Sequence, residues 1–207
     1  VGGMNKTLLG ALGVGATVVS SFLGLVLLPQ APLAALGPLT EDGGAAYPVE
    51  PYGAIAEGRD VYVDLGCIYC HSQQVRPPEY GADIARGWGE RQTVPRDYLY
   101  ADPILLGTMR TGPDLANIGA RQPSADWHYL HLYDPEITSP GSIMPRFAFL
   151  FERVPKNRPK PREALDLPAS HAEPDHWVVP SQRGRNLVAY LLSLERDHPV
   201  PEIADGE

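Results

Sequence analysis

Apolar residues run without a charged one from position 8 to position 28, a stretch of 21 residues rich in Leu, Val, Gly and Ala. At about 1.5 Å of rise per residue the segment reaches roughly 31 Å, the depth of a bilayer's hydrocarbon core, and it predicts one transmembrane helix. A cleaved signal peptide is the competing reading, with Ala31-Pro32-Leu33-Ala34 as a loose cleavage site. The apolar core of such a peptide normally runs to only about 7–15 residues, which favours the anchor. Along the helix Ala16, Ser20 and Gly24 recur every four residues, beside a second small stripe of Gly13, Thr17 and Ser21. Small faces let helices approach closely in lipid, so a helical partner in the membrane is expected.

Beyond the helix the pattern changes. Pro29, Pro32, Pro38, Pro48 and Pro51 stand among small residues and predict a stiff, extended strap. Apolar positions then return with helical spacing: Ala54, Ile55, Val61, Tyr62 and Leu65 share one side, and Pro77-Pro78 forbids continuation. Residues 77–114 show little periodicity, which in a compact domain suits a segment that binds or wraps something. A second helix is predicted over 124–133, with Ser124 as N-cap, Asp126 in the first turn and Pro135 after the end. Six prolines mark 155–180 as a surface insertion, and 181–196 reads as an amphipathic helix burying Leu187, Val188, Tyr190, Leu191 and Leu194. The expected organisation is an anchor over 1–30, a linker over 31–52, one domain over 53–198 and a tail over 199–207. The fold class is mainly α, with long proline-rich loops.

Net charge is −8, and no basic run or aromatic-basic patch points to nucleic acid. Lys6 precedes the helix whereas Glu41 and Asp42 follow it, which by the positive-inside tendency leaves the N-terminus in the cytoplasm. An acidic domain on the far side would steer a basic electron carrier toward itself.

The only two cysteines lie in Cys67-Ile68-Tyr69-Cys70-His71, the pattern of covalent c-type haem attachment. On a helix these side chains sit at i, i+3 and i+4 and point from one face, so two thiols reach the vinyl groups of one haem while the imidazole reaches its iron. A thioredoxin-like dithiol leaves His71 unexplained, and half a zinc site lacks two ligands at suitable spacing. Attachment of haem c occurs on the outer side of the bacterial inner membrane, so the expected location is that membrane, with the haem domain periplasmic.

The longer run Gly66 to Pro77 resembles the haem site of the membrane-anchored monohaem cytochrome c subunit (subunit II) of cbb3-type cytochrome c oxidases. Three further stretches resemble that subunit in the same order: Arg110-Thr111-Gly112-Pro113-Asp114-Leu115, then Trp127-His128 to His131-Leu132, then Met144-Pro145. The resemblance covers roughly residues 5–151 and, more weakly, the last helix. It implies a cytochrome c-like domain in which the first and last helices cross beside the haem.

His71 is the proximal ligand by adjacency, and the resemblance implies Met144 as the sixth. A thioether raises the potential relative to a second histidine, which suits an electron relay. Met109 and Met4 are the other methionines; Met109 reads as a packing residue beside Leu105 and Leu106. His128 and His131, at i and i+3, are alternative ligands or half of a second metal site, with hydrogen-bonded structural roles favoured. By resemblance the Pro113 carbonyl accepts the other N–H of His71. Arg76 and Arg110 are candidate partners of the haem propionates.

The implied function is a relay through one covalent haem c, from a dihaem cytochrome c subunit or a soluble cytochrome c to a haem-copper catalytic subunit that reduces oxygen. One predicted span without intramembrane histidines or carboxylates places no catalysis in this chain. The cytochrome c subunit of a nitric oxide reductase is the alternative, disfavoured by the Ser72-to-Pro77 extension and the chain length. A peroxidase or gas sensor would need an open sixth position, against Met144.

Overall fold

The structure, a computed structural model, describes residues 5–40 and 44–204. Met4, Glu41 and Asp42 therefore lie outside the described residues. The chain is 41% helical, with one two-stranded sheet among the described residues. It divides into two compact units, Val1–Pro48 and Val49–Glu207.

The first unit is built on a 29-residue apolar helix, Lys6–Ala34, long and hydrophobic enough to cross a membrane. It consists of α1 (Lys6–Phe22), a π-helical stretch Leu23–Leu27 and α2 (Leu28–Ala34). The helix outruns the predicted span by passing Pro29 and Pro32, where the prolines predict an extended strap. A proline interior to an α-helix removes one N–H and clashes with the carbonyl four residues back. Immediately before Pro29 the ladder is wider: the Leu28 N–H donates to the Leu23 carbonyl, five residues back. Such a π-turn moves the carbonyls that the first proline ring would otherwise strike, and the helix continues. Thr17 and Ser20 donate their hydroxyls to the Gly13 and Thr17 carbonyls, at 2.9 and 3.1 Å, so these two hydroxyls are satisfied within the helix.

The second unit is organised by α3 (Ala54–Asp64) packed against α7 (Gln182–Leu192). Gly58 makes the close approach possible: a Cβ there would fall 1.8 Å from the Asn186 carbonyl oxygen. Tyr62 meets Tyr190 edge to face at 5.5 Å. Leu187, Val188, Tyr190, Leu191 and Leu194 are all buried, as their spacing predicts, and with Val61 and Tyr62 they form the centre of the core. Ser181 caps α7 by accepting from the Gly184 N–H, and the helix ends at Leu192, short of the expected 196.

Short elements fill the intervening chain: α4 (Ile118–Arg121), α5 (Ala125–Tyr133), α6 (Pro135–Thr138) and, near the end, α8 (Pro201–Ala204). Ser124 caps α5 through the Trp127 N–H at 3.3 Å, as expected. A strand pair was not legible in advance. β1 (Phe151–Pro155) runs antiparallel to β2 (His176–Pro180), with Phe151 opposite Pro180 and Pro155 opposite His176. It closes the base of the proline-rich insertion, whose interior is tied back by the Leu165 N–H to the Val178 carbonyl at 2.9 Å. Prolines at the ends of both strands, where a missing N–H costs least, masked the pattern.

Residues 77–114 are not a free loop. Buried Asp83 and Asp97 fold the segment onto itself through Arg76, Arg110 and Arg91, and the Tyr98 hydroxyl donates to the Gln73 carbonyl at 2.7 Å.

Candidate functional site

The Cys-x-x-Cys-His motif does not continue helix α3, which corrects the helical placement read from its spacing. The helix stops at Asp64, Gly66 turns the chain with φ of +69°, and Cys67–Tyr69 forms a 3-10 turn. The motif survives as one tight turn because the N–H groups of Cys70 and His71 both return to the Cys67 carbonyl, at 3.1 and 2.9 Å. Cys70 is exposed, whereas burial pushes the Cys67 thiol up to about 11.

His71 is held from one side by the segment 110–116. The Gly112 N–H donates to the Cys70 carbonyl and the Leu115 N–H to the Ser72 carbonyl. Buried Asp114 accepts from the Ser72 hydroxyl at 2.6 Å and from the N–H groups of Gln74 and Ala116 at 2.8 Å. This lays the two segments side by side and brings the Pro113 carbonyl within 2.8 Å of His71 Nδ1. A carbonyl can only accept, so Nδ1 carries the proton and Nε2 keeps its lone pair for a metal. Burial lowers the imidazole pKa, outweighing the opposite pull of the Pro113 hydrogen bond and of Asp114, and favours this neutral form. Gly112 is required by contact: a Cβ there would sit 2.3 Å from His71 Cε1.

His71 and Cys70 line a cavity of about 580 Å³, within the usual range of cofactor sites. Met144, remote in sequence, lines the same cavity, as do Pro113, His128, His131 and Leu191. Met109 does not line it and is 58% exposed, so the packing role expected of it beside Leu105 and Leu106 gives way to a surface position. His128 is buried and donates from Nε2 to the Gln122 carbonyl at 2.8 Å. His131 stacks on Trp127 at 4.7 Å, and its Nδ1 lies 2.6 Å from the Thr138 hydroxyl. Burial, reinforced by His128 and His71, pushes its pKa down to about 4. No cluster of three or more His, Cys, Asp or Glu suited to a second metal occurs among the described residues.

Arg76 and Arg110 are brought together, but on Asp83 rather than on the cavity. Arg76 makes two side-chain hydrogen bonds to it, at 2.9 and 3.1 Å, and Arg110 one at 2.6 Å. Burial opposes ionisation of Asp83, yet these bonds outweigh it and hold the carboxyl below the usual range. The cation that lines the cavity is Arg121, which sequence reasoning did not single out. Its guanidinium donates to the Asp114 carbonyl, while its Nε is buried without a hydrogen-bond partner. A cationic side chain lining the cavity is what a carboxylate-bearing cofactor would pair with. Nothing in the local sequence Ile118-Gly119-Ala120-Arg121 marks this residue; only the return of the chain toward Asp114 does.

A model of the family described as "Cytochrome C oxidase, mono-heme subunit/FixO" matches residues 10–166. The chain belongs to that family. Membership implies one haem and gives the chain its setting, an oxidase complex with a catalytic subunit. For a FixO-family subunit the N-terminal apolar helix points to a single-pass anchor. No curated protein matches the chain.

Proposed function

We propose that this FixO-family chain is the electron-relay subunit of a cbb3-type oxidase, carrying one haem c on the periplasmic side of a bacterial inner membrane. When bound, the haem supplies reversible one-electron chemistry at its iron. The chain's own residues do the rest. Cys67 and Cys70 would hold the macrocycle through thioethers, His71 would offer Nε2 to the iron, and Met144 would offer its thioether as the second protein ligand. Pro113 orients the imidazole and raises its basicity, and Asp114 holds Pro113 in place. Arg121, which lines the cavity, is the better-placed partner for a propionate than Arg76 or Arg110, which are directed onto Asp83 instead. A methionine in the cavity disfavours a ligand-binding enzyme or gas sensor, which would need that coordination position open.

The observation that carries the reading is that Cys70, the oriented His71 and Met144 line one cavity although Met144 lies in a distant loop. On this reading electrons pass from a dihaem subunit or a soluble cytochrome c to a haem-copper subunit, which the family's setting in an oxidase complex supports. Denaturing gels stained for haem peroxidase activity test the covalent link: the parent band should stain, and the paired change Cys67→Ala and Cys70→Ala should abolish it. The catalytic core that co-purifies with the tagged chain distinguishes oxygen from nitric oxide reduction. Recovery of a nitric oxide reductase core would overturn the oxidase assignment.

A further inference from the structure

The insertion over residues 155–180 has no part in the relay as described, yet its His171 shares a partner, Asp134, with the loop that carries Met144. That loop, residues 139–147, contains no regular element. Its near end is tied by the Ser139 N–H to the Pro135 carbonyl at 2.9 Å, and its far end by the Phe147 N–H to the Leu132 carbonyl at 2.8 Å. Between them the Met144 N–H donates to the Ser142 hydroxyl at 3.3 Å within the loop and Met144 packs against the core, while Arg146 ties the loop outward to Asp134 Oδ2 at 2.7 Å. Asp134 is 2% exposed although Arg146 is largely in solvent. Part of the cover comes from the insertion: His171 Nε2 lies 3.3 Å from the same Asp134 oxygen. Glu173 fastens the insertion beside it, accepting from the Tyr133 hydroxyl at 3.0 Å and from Arg153 Nε at 2.9 Å.

The geometry points to Asp134 as a positioning residue for the Met144 ligand, clamped from outside by His171 of the insertion. This rests on the reading of Met144 as the axial ligand. A neutral thioether is a replaceable ligand, so its occupancy depends on how rarely its loop opens. An exposed ion pair alone would restrain such a loop weakly. Shielding one partner from water strengthens the attraction, and the insertion supplies that shielding. The apparent affinity of any competing ligand for the iron then scales with the fraction of time the loop is open. Asp134 also caps α6 through the Glu136 N–H at 3.2 Å, a role that asparagine fills equally well, so Asp134→Asn removes the charge and keeps the cap.

The test uses the purified, haem-loaded full chain in detergent, with free imidazole as the probe that displaces the methionine from ferric haem. Asp134→Asn should raise the apparent imidazole affinity about tenfold, the scale of one charge-assisted contact. Arg146→Gln should do the same, and His171→Gln should raise it by about threefold. In all three the charge-transfer band between methionine sulfur and ferric iron should persist before imidazole is added, which a collapsed site would not show. Should Asp134→Asn lose its haem, the two surface variants decide the matter. Met144→Ala separates the two levels of the argument. If it keeps the parent's band and imidazole affinity, Met144 is not the ligand and the clamp falls with it. If it loses the band while the other three variants bind imidazole like the parent, the ligand stands and the clamp is overturned.

Discussion

At the scale of single residues, the site turns on what lies beside the imidazole and what lies across the cavity. Met144→Ala should open the sixth position and lower the haem potential, because the ligand that favours the ferrous state is gone. Met109→Ala, at an exposed position outside the cavity, should leave both spectrum and potential unchanged. A reduced spectrum that stays six-coordinate and low-spin at the parent potential after Met144→Ala would show that the ligand is another residue. Gly112→Ala is the smallest change with a large expected effect. Its new Cβ would lie within 2.9 Å of three ring atoms of His71, whose ring is already held by Pro113. Overpacking of this kind costs about 1–3 kcal/mol, and here the atom displaced is the ligand itself. The variant should therefore incorporate less haem and unfold at lower denaturant, read by haem content per chain and by a urea titration. A parent-like haem content and midpoint would mean that the ring moves aside freely. Cys67, Cys70, His71 and Met144 could be proposed from a motif and a resemblance, since covalent haem attachment calls for fixed residue types at fixed spacing, and the structure brings Cys70, His71 and Met144 to one cavity. Arg121 and Asp134 could not, because an arginine or aspartate acquires its role from whatever the fold sets against it.

At the scale of elements, periodicity located the helices and misjudged two of their environments. The helix over 124–133 and the buried face of α7 were found because their apolar or capping residues recur at the spacing of one turn. The haem motif left its predicted helix because Gly66 ends α3, a stop that the i, i+3, i+4 spacing cannot reveal. The anchor ran on to Ala34 because a π-turn accommodates Pro29, a device with no sequence signature here. The small stripes on that anchor carry the prediction at this scale. Replacing Ala16, Ser20 and Gly24 by leucine keeps the span apolar and long enough to insert, and it leaves the haem domain untouched. Membrane localisation and haem staining should persist, while co-purification with the catalytic subunit should fall severalfold, by roughly the cost of one lost close helix contact. Undiminished complex yield would make the helix a tether only, with assembly held by the second unit.

At the scale of the whole molecule, a net charge of −8 on an electron carrier has a kinetic consequence. Steering by opposite charge raises association rates by about tenfold or more at low salt and fades as the screening length drops from roughly 30 Å to 8 Å. Reduction of the haem by a basic soluble cytochrome should slow by about tenfold across that range, and reduction by an uncharged small reductant should not. Stopped-flow traces with equal salt dependence for both donors would remove charge steering from the account. Composition gives the sign of this effect without any structure, as hydrophobic length points to the anchor and the Cys67-to-His71 motif points to the cofactor. These are additive or local properties, set by how many charges there are, how long the apolar run is and which side chains adjoin. What only the tertiary structure decided is which distant groups meet. Pro113 reaches His71, Arg76 and Arg110 converge on Asp83, Arg121 lines the cavity, and His171 of the insertion meets Asp134, the partner of Arg146 in the Met144 loop. Each of these contacts joins segments separated by turns and loops whose course depends on the packing of the core, and a charge or carbonyl bears no mark in sequence of the partner that packing will bring to it.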